Sequence, residues 1–329
     1  MRFTQSEKME IIRIVEGSEL SVNRTLKELN ISKRTFYNWY GSYLADGYDG
    51  LAPKKRSQNR VWNQIPPKER ENVVGIALDN PSLTPRELAY KITDENKRYI
   101  SESSVYRILR ERGLITSPSF IVMSASDSFK DKTCRPNEMW QTDFTYLKII
   151  GWGWYYLSTV LDDFSRFIVH WELCQGMGAP DVKKTVRKAI QIAGLTEKDR
   201  PKLLSDNGPC YISSELKKFL ELNKINQIHG RPCHPQTQGK IERYHRTMKN
   251  VIKLENYYSP EELKARLGEF IYYYNYLRYH EGINNLTPAS VYYNQAEQIL
   301  SEKKKIKELT LKERRFDYFE NKMLMMVQC

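Results

Sequence analysis

The chain has 329 residues, 40% hydrophobic and 28% charged, which is enough apolar material for packed cores in two or three domains. A net charge of +12 favours a polyanionic partner, because each Lys or Arg that neutralises a phosphate releases a counterion; a generic basic surface is the alternative. No run of about 18 apolar residues exists, which excludes a spanning helix, and the N-terminus lacks a secretory apolar core. We therefore expect a soluble, cytoplasmic protein.

The five cysteines are widely scattered and include no Cys-x-x-Cys pair. Neither His nor Cys occurs before Cys134. This usage argues against a disulfide framework and against a zinc site, and it fits a reducing compartment.

Residues 1–45 are predicted to form three short helices. Apolar residues recur at three- and four-residue spacing within 5–15, 22–29 and 33–43, and Ser32 is the expected N-cap of the last helix. This arrangement is typical of a helix-turn-helix DNA reader, although a three-helix bundle that binds protein is the alternative. The side chains expected to contact DNA begin the third helix: Lys33, Arg34, Thr35, Tyr37 and Asn38.

Residues 46–64 are predicted to be a basic linker. Its cations Lys54, Lys55 and Arg56 either follow the DNA backbone or are simply solvated.

Residues 65–117 repeat the helical pattern and predict a second helix-turn-helix-like DNA-binding domain. Helices are expected over 68–78, 86–93 and about 103–112, with Thr84 as an N-cap before a proline. Ser104 and Arg107 are the predicted DNA contacts of the last helix. Residues 118–136 are expected to be a linker.

From residue 137 to residue 297 the pattern changes to that of an α/β domain. Strands are predicted over 139–149, 154–161 and 166–173, as an antiparallel meander with a turn at 151–153. A helix over 180–193, a strand over 201–205 and further alternating elements follow. This order predicts a mixed sheet flanked by helices. The charged tail, 298–329, is either a helix for subunit or DNA contact or poorly ordered.

Three acidic residues lie at the edges of these elements. Asp143 is within the first strand, Asp206 follows the fourth, and Glu242 opens a helix. Carboxylates from such positions can share two hard cations such as Mg²⁺. Two ions about 4 Å apart stabilise both the attacking and the leaving oxygen of a phosphoryl displacement.

The setting of these acids resembles the D,D-35-E core of insertion-sequence transposases and retroviral integrases. Asp206 lies in Ser-Asp-Asn-Gly-Pro, 35 residues separate it from Glu242, and Glu242 lies in Gln-Gly-Lys-Ile-Glu-Arg. The resemblance covers about residues 140–293. It implies a ribonuclease-H-like fold and DNA strand transfer, with Asp143, Asp206 and Glu242 as catalytic metal ligands for two Mg²⁺ or Mn²⁺ ions.

The resemblance also implies partners: double-stranded DNA, as element ends and as target, and further copies of the chain in a dimer or higher oligomer. Retroviral integrases carry a zinc-binding His/Cys module at the N-terminus, where this chain has helix-turn-helix patterns. This difference points to a bacterial insertion-sequence transposase, associated with the nucleoid. A DNA-binding regulator that no longer cuts and a ribonuclease H are the alternatives, and the latter leaves the N-terminal modules unexplained.

The helix that carries Glu242 is predicted to be amphipathic. Ile241, Tyr244, Met248 and Ile252 form an apolar stripe for the core. Arg246 and Lys249 share a neighbouring face with Glu242, where they are predicted to hold DNA phosphate; a Glu242–Arg246 ion pair is the alternative.

Several neighbours of the acids complete the prediction. Lys240 and Arg243 are further expected DNA contacts, and Asn207 either contacts phosphate or caps its turn. His234 and His245 lie close to the acids in the sequence. His245, one turn after Glu242, either contacts the site or is structural, and we expect the structural role. Asp162 and Asp163 are expected to be turn residues paired with Arg166 rather than ligands.

Overall fold

The computed structural model describes residues 3–52, 62–115, 133–229 and 238–327, and the chain divides into two compact units, Met1–Val61 and Trp62–Cys329. Across those ranges, no helix combines the length and apolarity that a membrane crossing requires. Lys54, Lys55, Arg56 and His234 lie outside the described residues, so the roles predicted for the three cations stay predictions.

The first unit contains the three predicted helices: α1 (Gln5–Glu16), α2 (Val22–Glu28) and α3 (Lys33–Asp46). The Ser32 hydroxyl accepts a hydrogen bond from the Thr35 N–H, which confirms the predicted N-cap. A 3₁₀ turn, Gly47–Leu51, follows, and Leu51 is buried in the core of the three helices. The folded region therefore extends beyond the predicted boundary at residue 45, because one apolar side chain after a glycine gives no periodic signal.

The second unit begins with another three-helix module: α4 (Pro67–Asp79), α5 (Pro85–Asn96) and α6 (Glu102–Glu111). Thr84 caps α5 as predicted, with reciprocal hydrogen bonds to Glu87. Val105, Ile108 and Leu109 of α6 are buried in the core that these helices share.

The tail is one continuous helix, α12 (Ala296–Val327), so the predicted boundary at residue 298 falls inside it. This helix packs against the α4–α6 module. Arg314 is buried there, and its guanidinium donates to Glu69 at 2.6 Å and to the Tyr99 carbonyl at 2.9 Å. The tail therefore fastens the module to the rest of the second unit.

The remaining part of the unit is built on a five-stranded sheet in the order β3-β2-β1-β4-β5, with the first three strands antiparallel and the last two parallel to β1. The strands are β1 (Met139–Ile149), β2 (Gly153–Asp162), β3 (Ile168–Cys174), β4 (Lys202–Ser205) and β5 (Gln227–His229). The predicted turn at 151–153 joins β1 and β2, and both of its glycines, Gly151 and Gly153, adopt positive φ angles. Arg166 has a φ of 67°, so β3 begins two residues later than predicted.

Helices cover both faces of the sheet. One buried cluster joins it to α7 (Ala179–Ile192) and α8 (Ser214–Leu222), and another joins it to α9 (Gly239–Ile252) and α10 (Pro260–Tyr272). A π turn (Tyr273–Leu277), a 3₁₀ turn (Glu281–Ile283) and α11 (Pro288–Tyr292) lead to α12. The predicted mixed sheet flanked by helices is confirmed.

Candidate active site

An open cleft of about 640 Å³ lies between β1 and α9. β4 pairs only with residues 139–141 of β1, so among the described strands the rest of β1 has no neighbour on that side. The cleft is lined by Asp143, Phe144, Thr145, Tyr146, Glu242, His245, Arg246, Lys249, Asn250, Lys253 and Leu254. The structure thus brings Asp143 and Glu242, separated by almost a hundred residues in the chain, to one concave surface.

The apolar stripe of α9 turns Glu242 toward this cleft. Its four members, Ile241, Tyr244, Met248 and Ile252, are at most 1% exposed, which confirms the predicted core face. Glu242, Arg246 and Lys249 consequently lie on the side that lines the cleft. The alternative Glu242–Arg246 ion pair is not formed between these two described residues, and both side chains are exposed.

A buried polar network fixes the start of α9 beside β1. The Gln141 side chain donates to Asp163 at 2.7 Å and accepts from the Ile241 N–H at 3.1 Å. Lys240 donates to the same Asp163 carboxylate at 2.7 Å and to its carbonyl at 2.9 Å. Gln141 lies two residues before Asp143 and Lys240 two residues before Glu242, so the network sets the spacing of those two carboxylates.

This network gives Lys240 a partner within the protein, while its predicted DNA contact stays a prediction. Its ammonium pairs with Asp163, which is only 4% exposed. The Asp162 carboxylate accepts hydrogen bonds from the Asn137 N–H, the Ser165 N–H and the Ser165 hydroxyl. Arg166 contacts this turn through its backbone, donating from its N–H to the Asp162 carbonyl.

His245 lies against Asp143, with its Nδ1 atom 3.4 Å from Oδ2 of the carboxylate. The imidazole is 6% exposed, and its Nε2 atom has no hydrogen-bond partner among the described residues. The other oxygen, Oδ1 of Asp143, accepts from the Phe144 N–H at 2.8 Å. The histidine expected to be structural therefore also contacts one predicted metal ligand.

Asp206 lies just beyond the end of β4 and does not line the cleft. β4 and β1 are parallel, and the last pair of their ladder is Gln141 with Leu204, so Asp143 and Asp206 each follow that pair by two residues. Burial, followed by the negative charges of Asp143 and Asp206, raises the pKa of Tyr211 well above its ordinary value, in agreement with this arrangement.

Gly208 allows the Asp206 carboxylate to fold back on its own turn. The Gly208 N–H donates to Oδ1 of Asp206 at 2.9 Å. A Cβ at position 208 would lie 3.0 Å from the same oxygen, so a side chain there would crowd the carboxylate. The glycine of the Ser-Asp-Asn-Gly-Pro run therefore serves the position of Asp206.

The donor chemistry of the three acids fits a hard divalent cation, because every ligand atom offered is a carboxylate oxygen. Neither Asp206 nor Glu242 forms an ion pair with any described Lys, Arg or His. Within the described ranges, however, no three side chains of His, Cys, Asp or Glu are close enough to hold one ion together. The structure thus brings two of the acids to the cleft, and the third follows the strand that pairs with β1.

The cationic wall of the cleft comes from the last turns of α9 and the residue that follows it. Arg246, Lys249 and Lys253 all line it. The Lys249 ammonium lies 4.6 Å from the centroid of the Tyr146 ring. Burial, and then the nearby charge of Lys253, lower the pKa of Lys249.

The other predicted DNA contacts lie as follows. Lys33, Arg34, Tyr37 and Asn38 are exposed at the start of α3, whereas Thr35 is half-buried and its hydroxyl lies 2.7 Å from that of Ser32. Arg107, Arg243 and Asn207 are exposed. The Ser104 hydroxyl accepts from Ser101 at 2.9 Å and from Arg107 at 3.3 Å, so it is engaged within α6.

Comparison with known families gives three matches. Residues 134–235 and 223–288 each match an integrase core domain, and residues 35–109 match a homeodomain-like domain. These matches agree with the observed sheet and helical modules and confirm the predicted fold class.

Two similar proteins show how far the likeness extends. The Gag-Pro-Pol polyprotein of sheep pulmonary adenomatosis virus is 29% identical over 197 residues, or 58% of this chain and 10% of the polyprotein. The transposase for transposon Tn552 of Staphylococcus aureus is 24% identical over 308 residues, or 83% of this chain and 62% of that transposase. The chain therefore spans less than two thirds of the length of either relative.

Similar solved structures include the HTLV-2 integrase catalytic core domain in complex with magnesium, at 22% identity and a TM-score of 0.39. The alignment covers 48% of this chain and 97% of that domain. The simian T-cell lymphotropic virus intasome in complex with PP2A regulatory subunit B56 gamma is 17% identical, with a TM-score of 0.43, over 67% of this chain and 74% of that chain.

Proposed function

We propose that this chain is a transposase that cuts and joins DNA. It belongs to the DDE transposases and integrases and has a retroviral-type integrase core. One observation carries the proposal: a cleft that presents Asp143 and Glu242 beside three cations, Arg246, Lys249 and Lys253. Carboxylates bind metal and the cations bind phosphate, so both requirements of phosphodiester chemistry meet at one surface. The transposase likeness over 83% of the chain, rather than over the core alone, favours transposition over viral integration.

Asp143, Asp206 and Glu242 are the residues that would hold two Mg²⁺ or Mn²⁺ ions. When bound, such ions lower the pKa of an attacking water or hydroxyl and stabilise the leaving oxygen. The carboxylate-only donor set and the absence of basic partners for Asp206 and Glu242 among the described residues support this assignment.

The protein side chains would supply position and charge. His245 keeps one oxygen of Asp143 in a fixed direction, and Arg246, Lys249 and Lys253 hold the DNA phosphates along α9. Water attacks a phosphodiester at the element end and leaves a free 3′-hydroxyl. That hydroxyl then attacks a target phosphodiester, forming one P–O bond as another breaks, so no protein nucleophile is required.

The helical modules would recognise the element ends. The exposed cationic and amide side chains at the start of α3 suit the major groove, and Arg107 is exposed on α6. Because two ends must be brought together, the active form is a homodimer or a higher oligomer on double-stranded DNA.

Labelled DNA carrying the sequences that flank this gene provides the test. With Mg²⁺ we expect nicked ends and joined products that disappear in EDTA. Specific end binding without cutting or joining would instead support the regulator alternative. Cleavage confined to the RNA strand of RNA–DNA hybrids would support the ribonuclease H alternative.

A further inference from the structure

An exposed aromatic surface lies on the β1–β2 hairpin, next to the cleft. It consists of Tyr146, Trp154 and Tyr156, and the first two rings are 54% and 53% exposed. The register pairs Tyr146 with Tyr156 and Lys148 with Trp154, so all four side chains stand on one face of the two strands. Their neighbours Leu147 and Tyr155 point to the opposite face and are buried.

The two exposed rings pack against each other and remain open to solvent. Tyr146 and Trp154 meet edge to face, with centroids 5.4 Å apart and an interplanar angle of 77°. Such a pair supports each ring while leaving large parts of both faces open to solvent. Both ring residues remain more than half exposed, although the opposite face of the same hairpin end packs against α9 and α10.

The charge around the rings selects the kind of ligand. Lys249 lies 4.6 Å from the Tyr146 centroid, and Lys148 is exposed on the same face as Trp154. Tyr146 and Lys249 also line the cleft that contains Asp143 and Glu242. Aromatic faces interleaved with cations are the usual surface for single-stranded nucleic acid, in which bases stack and phosphates pair with Lys.

We propose that Tyr146 and Trp154 form a stacking platform for unpaired DNA bases next to the strand being cut or joined. The inference rests on the proposed function, because the cleft supplies the phosphate chain whose neighbouring bases would reach the rings. A base within an intact duplex has no free face, so the occupant is a strand with unpaired bases at or beside the reacting end. The platform would keep that strand apart from its complement while the phosphodiester lies in the cleft.

Binding of labelled oligonucleotides in EDTA tests the platform without requiring any catalysis. The probes are an oligothymidylate of about 12 nucleotides, within the usual site size, and an abasic strand of the same length. The variants are Tyr146→Ala, Trp154→Ala and Trp154→Phe. Tyr272→Ala is the matched control, because that ring is 58% exposed and lies in another ring pair, 5.0 Å from Tyr276.

We expect each Ala variant to bind oligothymidylate at least about five-fold more weakly, the lower bound for losing one base–ring stack. Trp154→Phe should bind nearly as the unmodified chain does, as should Tyr272→Ala, and binding of the abasic strand should not change. Circular dichroism and thermal unfolding verify that the hairpin variants fold.

Three results would overturn the proposal. The first is that neither Ala variant changes the affinity, which includes the case in which the unmodified chain does not bind the oligonucleotide. The second is an equal loss of affinity for the abasic strand, which indicates a phosphate site, and the third is a change of oligomeric state without a change of affinity, which indicates a surface for a second copy. Failure of the proposed function is a separate outcome, since it would appear as absent Mg²⁺-dependent joining whatever the oligonucleotide affinities are.

Discussion

Nδ1 of His245 lies 3.4 Å from Oδ2 of Asp143, and the imidazole is a largely buried part of the cleft lining. The histidine stands on α9, one turn after Glu242, while the aspartate stands on β1. One contact therefore connects the two elements that supply carboxylates to the cleft. Groups that orient metal ligands in this way commonly influence metal affinity and activity together.

His245→Phe should keep the packing of α9 but release the Asp143 carboxylate. We expect Mg²⁺-dependent joining to fall by about 10- to 100-fold, the usual effect of removing such a partner, with a higher Mg²⁺ concentration at half-maximal rate. The measurement is the joining rate across a Mg²⁺ titration, with end binding as the control for folding. An unchanged rate at every Mg²⁺ concentration would show that the contact has no role in positioning.

Lys240→Met should destabilise the second unit. Asp163 is 4% exposed and would lose the cation that pairs with it among the described residues. We expect the free energy of unfolding to fall by about 1–3 kcal/mol, a range kept small because the Lys240 side chain is partly exposed to solvent. Urea unfolding measures the difference, and Lys217→Met, at an exposed position of α8, is the control. If both variants unfold at the same urea concentration, the Lys240–Asp163 ion pair does not stabilise the packing of α9 against the sheet.

Arg34→Ala tests DNA recognition by α3. Arg34 is exposed in the first turn of the helix, and removal of one phosphate contact should reduce the slope of log affinity against log salt by about 1. Binding of the element end at several salt concentrations gives this slope. Arg13→Ala, at an exposed position of α1, should leave the slope unchanged, and an equal effect of both variants would argue against α3 as the reader.

Glu172 should contribute stability that depends on pH. Burial alone would raise its pKa, but hydrogen bonds from Lys188, His170 and Lys184 outweigh burial and lower the pKa to about 2 from 4.5. A lowered folded-state pKa stabilises the protein above pH 4.5, and this contribution is lost as the pH falls toward 2.

Thermal unfolding of Glu172→Gln measures this contribution. The variant should unfold at a lower temperature than the unmodified chain at pH 6. The difference between the two unfolding temperatures should shrink progressively below about pH 4.5. Glu221→Gln, at an exposed position of α8, should show no such pH-dependent difference. A difference in unfolding temperature that stays constant from pH 6 to pH 3 would contradict the lowered pKa of Glu172.

Local patterns were sufficient to predict most elements. The three-four spacing of apolar residues placed α9 and its buried stripe, and the caps Ser32 and Thr84 placed the starts of α3 and α5. The aromatic and β-branched run placed β1 with both ends correct. Each of these signals lies within a few residues of the feature it specifies.

Contacts between distant residues could not be predicted in this way. The Gln141–Asp163–Lys240 network joins positions 22 and 77 residues apart, and nothing in the periodicity of either segment pairs them. The packing of α12 against α4–α6 depends on Arg314 meeting Glu69, 245 residues away. The ion pair of Lys240 with the buried Asp163 therefore could not be predicted from the sequence around Lys240.

The site residues remain a prediction from the motif and the geometry, so one variant tests the central claim most directly. Glu242→Gln removes a carboxylate from the cleft without changing its size, and Glu221→Gln makes the same change on α8. Mg²⁺-dependent strand joining on labelled element ends is measured together with end binding. The account predicts that Glu242→Gln abolishes joining and retains end binding, while Glu221→Gln joins normally. Normal joining by Glu242→Gln would contradict the assignment of this cleft as the active site.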